Sequence, residues 1–338
     1  MRAELSLLAL SAFGCAVNLD PDPPRPRVSS NIAQLPGCQP LADRVDSVEG
    51  RLDLIQLSDG RPLALAAQAR FDGQVRSAAF TFRDGPAFET CLSSGEPLPA
   101  RPLIDTSELP GRVSASPLAS VTTDQTYLYF AASDQTSFAA AGFGVARWDP
   151  AAERFVAVGF LWTADRPPYG SSAIVEGDYV YVFGGLAARF LAADAYVARA
   201  PLASLTEPSA YEYWTGGGDW SQNADAALPL VEAGTAPSVS WDAAHSRWLM
   251  AYTTPLASEV TVRSGLGVTG PWSAPVTLGR CDLPSDDTGA FCGDVVLVPA
   301  LTSEGGIVAT QATGTFGRVE GADYGTRLIG AAWPGELP

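Results

Sequence analysis

Side chains able to do covalent or acid–base chemistry are unevenly supplied in this 338-residue chain. It holds one histidine, His245, inside DAAHSR, a polar stretch between two apolar runs. A single turn histidine cannot be the pivot of a Ser-His-Asp or Cys-His nucleophile. The five cysteines show no CxxC spacing, so with one histidine they form no zinc set. Gly216–Gly218 precede Asp219 and Trp220 without the Gly-Lys-Ser/Thr and following helix of a phosphate loop. Neither a metal nor a cofactor is therefore expected. Chemistry falls to carboxylates, which work in pairs as acid and base.

The elements that must position such groups are short strands. Ala236–Leu278 reads as strand, turn, strand, loop, strand, Gly-Pro turn, strand. Four strands in about 45 residues make one propeller blade. Degenerate copies of the first hairpin recur at Arg51–Ala67, Ala119–Ser133, Ser172–Gly185, Pro237–Thr253 and Val298–Ala312. Third strands are expected at Val75–Phe82, Phe143–Trp148, Tyr196–Ala200 and Val260–Ser264, and outer strands at Phe155–Trp162, Tyr211–Trp214 and Pro275–Leu278. The 33 Gly and 27 Pro between these runs suit an all-β chain rich in turns. The expectation is one five-bladed β-propeller over 43–338, with a two-sheet sandwich plus a second β domain as the rival.

Ahead of it, Arg2 and the apolar Leu5–Gly14 end at Cys15, a pattern that resembles a bacterial lipoprotein signal over residues 1–15. Residues 16–42 are expected to be a tether, with six prolines between Asn18 and Pro40. The expected location is the cell envelope, outer membrane or periplasm, with Cys15 lipidated and the anchor as the sole membrane contact. Export allows disulfides among the other four cysteines. CDLPSDDTGAFC makes Cys281–Cys292 the natural local bridge, and Cys38–Cys91 would pin the tether to the first blade. Four reduced thiols are the alternative. The net charge of -16 argues against a nucleic-acid partner or an anionic lipid surface. A monomer is expected.

Several ordered motifs carry a family resemblance: GDYVYVFGG at Gly177–Gly185, YVARAPL at Tyr196–Leu202, YEYWTGGGDW at Tyr211–Trp220, APSVSWD at Ala236–Asp242, TGPWSAP at Thr269–Pro275 and YGTRLIGAAWP at Tyr324–Pro334. From Pro117 to Trp333 the chain resembles the bacterial family known as domain of unknown function 4185. That family is related to the five-bladed propeller glycosidases, the arabinanases and β-xylosidases. The resemblance implies a glycan in the central funnel and, for hydrolysis, two flanking carboxylates. In the related enzymes the acids come from the inner strands of the first three blades. Here the first blade offers Asp46 and Asp53, the second to fourth inner strands offer none, and the fifth blade offers Asp294.

Asp53 and Asp294 are the favoured pair, because the ring must close between blades five and one. Asp46, Asp165 and Glu232 are the alternates. Sugar faces stack on flat aromatic rings. Among Trp162, Tyr169, Trp214, Trp220 and Trp272, packing suits Trp214 and Trp272, whereas Tyr169 and Trp220 are the rings expected at an exposed rim. Arg112 and Arg166 are the loop cations placed to bond hydroxyls or a carboxylate. Three classes stay open: a glycoside hydrolase, a glycan-binding module without catalysis, and a scaffold for other envelope proteins.

Overall fold

The computed structural model describes residues 32–34, 47–71, 74–82, 95–97, 102–189, 192–234, 236–254, 258–281, 283, 289–299, 306–315, 326–335 and 337. A short strand, β1 (Ile32–Gln34), comes first. Then β2 (Ser47–Gln56), β3 (Pro62–Phe71), β4 (Gln74–Phe82) and β5 (Gly95–Pro97) pair in that order as blade one. Blade two holds β6 (Ile104–Asp105), β7 (Val113–Thr122), β8 (Thr126–Asp134), β9 (Ala140–Asp149) and β10 (Arg154–Trp162), with β6 parallel to β10 at the outer edge. Blade three is β11 (Ser172–Glu176), β12 (Tyr179–Arg189), β13 (Ala192–Pro201), β14 (Glu212–Gly216) and β15 (Asp219–Ser221), with β16 (Val231–Ala233) also on β13. Blade four is β17 (Ser238–Asp242), β18 (Arg247–Thr254), β19 (Glu259–Gly265) and β20 (Val276–Arg280). Blade five is β21 (Ala290–Leu297), β22 (Gly306–Thr315) and β23 (Thr326–Ala332), completed by β1.

The first strand of each blade touches the first strand of the next, and β21 touches β2. Five sheets therefore close into a ring around one axis, which makes the molecule a five-bladed β-propeller. The strands form for the reason their pattern suggests. Alternate residues of β7, such as Val113, Pro117, Ala119 and Val121, are buried between neighbours. Hairpin turns are polar and tight, as at Gly177, whose φ of 60° needs a residue without a Cβ.

Apolar seams lie between the blades. Leu63, Leu65, Leu128, Phe130 and Phe155 fill the first, and Val260, Val262, Val295 and Ile307 the fourth. Each fully buried Leu, Val or Phe contributes about 1.5–3 kcal/mol. Hydrogen bonds near the axis stitch the same seams. Thr122 Oγ1 donates to the Gln56 carbonyl at 2.7 Å, and the Ala119 N–H donates to the Gly170 carbonyl at 2.8 Å. Ser172 Oγ donates to the Val239 carbonyl at 2.9 Å, and the Leu297 N–H donates to Ser238 Oγ at 3.0 Å. Thr310 Oγ1 donates to the Leu52 carbonyl at 2.7 Å, which closes blade five onto blade one.

Two boundaries differ from the sequence expectation. The inner strand of blade five is Ala290–Leu297, one strand ahead of the Val298–Ala312 hairpin. Val298 follows the end of that strand, and β22 is its hairpin partner. The Pro-rich stretch is also not wholly a tether, because Ile32–Gln34 pairs antiparallel with Ile329–Ala331. The chain's beginning thus supplies the outer strand of its last blade. Cys15, Cys38, Asp46 and Cys91 lie outside the described residues.

Candidate active site

Three of the five inner strands are bulged, and these belong to neighbouring blades. In β21 the register jumps between Cys292 and Val295, in β2 between Glu49 and Leu52, and in β7 between Pro117 and Ser120. β11 and β17 keep an unbroken register. A bulge adds one residue to a strand and re-aims the side chains around it. Gly50, at φ 82°, allows the bulge in β2, and its carbonyl accepts from Thr326 Oγ1 at 2.5 Å. Arg51 and Asp53 follow directly, and Asp294 sits inside the bulge of β21.

Arg51 and Asp53 are two residues apart on a strand, so they share a face. Arg51 Nη2 and Nε donate to Asp53 Oδ2 at 2.9 and 3.2 Å. The Arg51 side chain is 4% exposed and that of Asp53 13%. Arg51 Nη1 is buried without an acceptor among the described residues. Asp294 feels both partners across the seam. Burial pushes its carboxyl above the usual range, the Arg51 guanidinium pulls it back, and the Asp53 charge pushes it up again. One carboxylate ion-paired and a second with raised affinity for its proton is the asymmetry an acid–base pair requires.

Among the described side chains, two other acids stand at the ends of inner strands, Asp242 on β17 and Glu176 on β11. Asp242 Oδ1 accepts the Ala244 N–H, and its Oδ2 bonds His245 Nδ1 at 2.6 Å. His245 in turn stacks on Trp333 with ring centroids 3.6 Å apart, so it is a packed turn residue. Glu176 is exposed at the last position of β11.

The alternates stand elsewhere. Asp165 is fully exposed and accepts from Thr163 Oγ1 at 2.5 Å, the bond that chiefly lowers its pKa. Glu232 is an exposed residue of β16, whose carbonyl accepts from Arg263 Nη2 at 3.0 Å. Arg166 pairs with the exposed Asp225. Arg112 is exposed immediately before β7.

The rim aromatics are corrected by the fold. Tyr169 is 1% exposed, packed against Trp162 and Tyr213 at centroid distances of 5.0 and 5.7 Å. A ring enclosed between blades two and three offers no face to a sugar. Trp220 is half-buried on β15, four strands out from the inner strand of its blade. Arg199 lies 4.2 Å over its ring, and Trp214 meets it edge-on at 5.4 Å. Stacking at the blade's outer edge occupies Trp220, away from the axis. Trp214 and Trp272 pack into the seam of blades three and four, as expected.

The residue missed in the sequence is Arg51. Its signal was present: a cation two positions before an acid on a strand places both on one face. The Cys281–Cys292 disulfide forms as expected, with Cα atoms 6.0 Å apart. It ties the end of β20 to β21 two residues before Asp294.

The model of the family described as domain of unknown function DUF4185 matches residues 118–314. The chain belongs to this family. Solved structures extend the likeness beyond the family match. A putative hydrolase from Bacteroides ovatus ATCC 8483 superposes with a TM-score of 0.62 at 14% identity, over 93% of this chain and 97% of that one. A GH43_1 enzyme from Xanthomonas citri, complexed with xylose, gives 0.54 at 14% identity over 87% and 89%. A family 117 glycoside hydrolase produced by the marine bacterium Zobellia galactanivorans gives 0.52 at 12% identity over 89% and 90%. At these identities the likeness shows the shared propeller fold. A search of curated proteins finds no match.

Proposed function

We infer that this family member is a carbohydrate-active propeller that binds a neutral or cationic glycan at its axis and hydrolyses it at the seam of blades five and one. The observation that carries the reading is the pairing of Asp294, whose carboxyl is pushed up by burial, with Asp53, which is ion-paired to Arg51. Asp294 donates its proton to the leaving glycosidic oxygen. Asp53 acts on the opposite side, as base for the attacking water or as nucleophile. Water is divided between the products, a proton to the leaving sugar and a hydroxyl to the anomeric carbon. The bulges in β2 and β21 hold both carboxyls on rigid inner strands rather than on loops.

Fold likeness to glycoside hydrolases supports the substrate class, and the net charge of -16 disfavours a polyanionic glycan. The N-terminal pattern ending at Cys15 supports an envelope lipoprotein. Cys15→Ser should release the protein from membranes, and unchanged membrane retention would exclude that location.

A glycan array run beside a hydrolysis screen tests the function. The expected result is turnover that falls on the order of 10²–10⁴-fold in Asp294→Asn and in Asp53→Asn while binding persists. Binding without turnover in the unmodified protein would leave a binding module. No binding to any glycan, with a partner protein recovered, would leave a scaffold.

A further inference from the structure

The bulge that carries Asp294 is held differently on its two flanks. On the C-terminal side Val295, Val296 and Leu297 are buried, and the Leu297 N–H donates to Ser238 Oγ of blade four at 3.0 Å. On the N-terminal side Ala290, Phe291, Cys292 and Gly293 are only half-buried. As the inner strand, β21 has a ladder partner in its own sheet on one side alone, β22. Apolar burial therefore fixes where the bulge ends but not where it begins.

Gly293 and Asp294 stand opposite the single Ala312, between the pairs Cys292–Thr313 and Val295–Gln311. A strand free to slip by one residue turns its side chains to the other face. The packing here is close, since a Cβ on Gly293 would meet the Ala312 Cβ at 3.1 Å. Gln311 is 3% exposed, and its amide nitrogen lies 3.9 Å from Cys292 Sγ, on the far side of the bulge from its own register partner.

The open flank is pinned by the disulfide. Cys281 directly follows β20, and its N–H donates to the Ser258 carbonyl at 2.9 Å, which seats it on blade four. Its partner Cys292 is the last residue in register before the bulge. The bridge thus does for the start of the bulge what the Leu297–Ser238 bond does for its end, because each ties β21 to blade four. Blade five has other supports. β22 pairs with β23 and β23 with β1, and Thr310 Oγ1 closes the ring through the Leu52 carbonyl.

We propose that the Cys281–Cys292 bridge is a positioning element for Asp294, holding the bulge in the register that keeps the carboxyl within reach of Arg51 and Asp53, so that opening the bridge disarms the seam while the propeller stays folded. Its consequence for turnover rests on the hydrolytic reading of this seam, and its consequence for the carboxyl rests on the bulge alone. Among the described residues, the charged groups that act on Asp294 are Arg51 and Asp53, both on β2.

The bridge can be opened in two ways. Dithiothreitol breaks the sulfur–sulfur bond, leaves two thiols and closes into its own ring disulfide. The Cys281→Ala, Cys292→Ala double variant opens the same link without touching the other cysteines. The Asp294 carboxyl carbon, assigned with Asp294→Asn, is titrated by NMR in the substrate-free full chain. In both opened forms its titration should move down toward the ordinary value of 3.8. The Trp162 indole N–H signal of the seam of blades two and three should keep its position, and reoxidation should restore the reduced protein. With p-nitrophenyl xyloside and p-nitrophenyl arabinofuranoside as probes, kcat should fall about tenfold to a hundredfold with little change in KM. An unchanged Asp294 titration in the double variant would overturn the proposal. So would loss of the Trp162 signal along with it, which would make the bridge a staple for the whole fold. Absence of turnover in the unmodified protein would instead overturn hydrolysis at the axis, and the carboxyl titration would still decide the positioning role.

Discussion

The seam of blades two and three and the seam of blades five and one both enclose polar side chains, and they treat them in opposite ways. Between blades two and three the polar atoms are phenols and an indole. Tyr129 and Tyr211 hydroxyls lie 2.9 Å apart, Tyr211 donates to the Leu205 carbonyl at 2.7 Å, and Trp162 Nε1 donates to Tyr213 at 2.9 Å. Burial pushes the pKa of Tyr129 and Tyr211 up, so this network stays neutral at any physiological pH. Between blades five and one the polar groups are two carboxyls and a guanidinium, one of whose nitrogens has no acceptor among the described residues. A neutral network, even one in which the Tyr169 hydroxyl has no partner among the described residues, holds a fold together. A charged group buried without full satisfaction is costly and marks a place kept for chemistry.

That contrast can be broken by substitution. The largest effect is expected at the aromatic seam. Trp162→Ala should destabilise the protein by about 3–5 kcal/mol, read by denaturant unfolding, because it opens a cavity among Tyr129, Tyr169 and Tyr211. A loss below about 1 kcal/mol would mean that the seam collapses freely. Arg51→Met should cost a similar ~3–5 kcal/mol at neutral pH, because it strands the Asp53 charge. Its signature differs from that of the cavity variant. The cost should shrink in acid, where the carboxyls take up protons, whereas the Trp162→Ala cost should not.

Reducing the Cys281–Cys292 bridge should cost about 3 kcal/mol on the chain-entropy model. The smallest effect sharpens the neutral side of the comparison. Tyr211→Phe removes a hydroxyl bonded at both ends and should cost about 1–2 kcal/mol, with no change in turnover.

The sequence made the architecture legible because hairpins repeat. Apolar alternation interrupted by Asp, Gly and Ser turns placed third strands such as Phe143–Trp148 and outer strands such as Phe155–Trp162 close to their final bounds. Ring closure alone implies that Asp53 and Asp294 meet at one seam. The aromatics were not legible in the same way. A ring beside a Gly or Pro turn reads alike whether it faces solvent, as expected for Tyr169, or fills a seam. Nothing local told that Arg199 would cap Trp220, since the two meet only through the pairing of β13 with β14 and of β14 with β15. β1 escaped because three residues are too few for a period to register.

The most direct test of the charged seam needs no substrate. A carboxyl raised above its ordinary value of 3.8 binds its proton more tightly in the folded chain than in the unfolded one. Its contribution to stability is therefore full below that value and is lost as pH rises through the folded value. Asn cannot ionise, so Asp294→Asn should differ little in thermal midpoint from the unmodified protein near pH 3. It should become progressively more stable than the unmodified protein from about pH 4 upward. A midpoint difference that does not change with pH, or one that favours the unmodified protein as pH rises, would contradict the assignment of Asp294 as the half-buried acid of this seam.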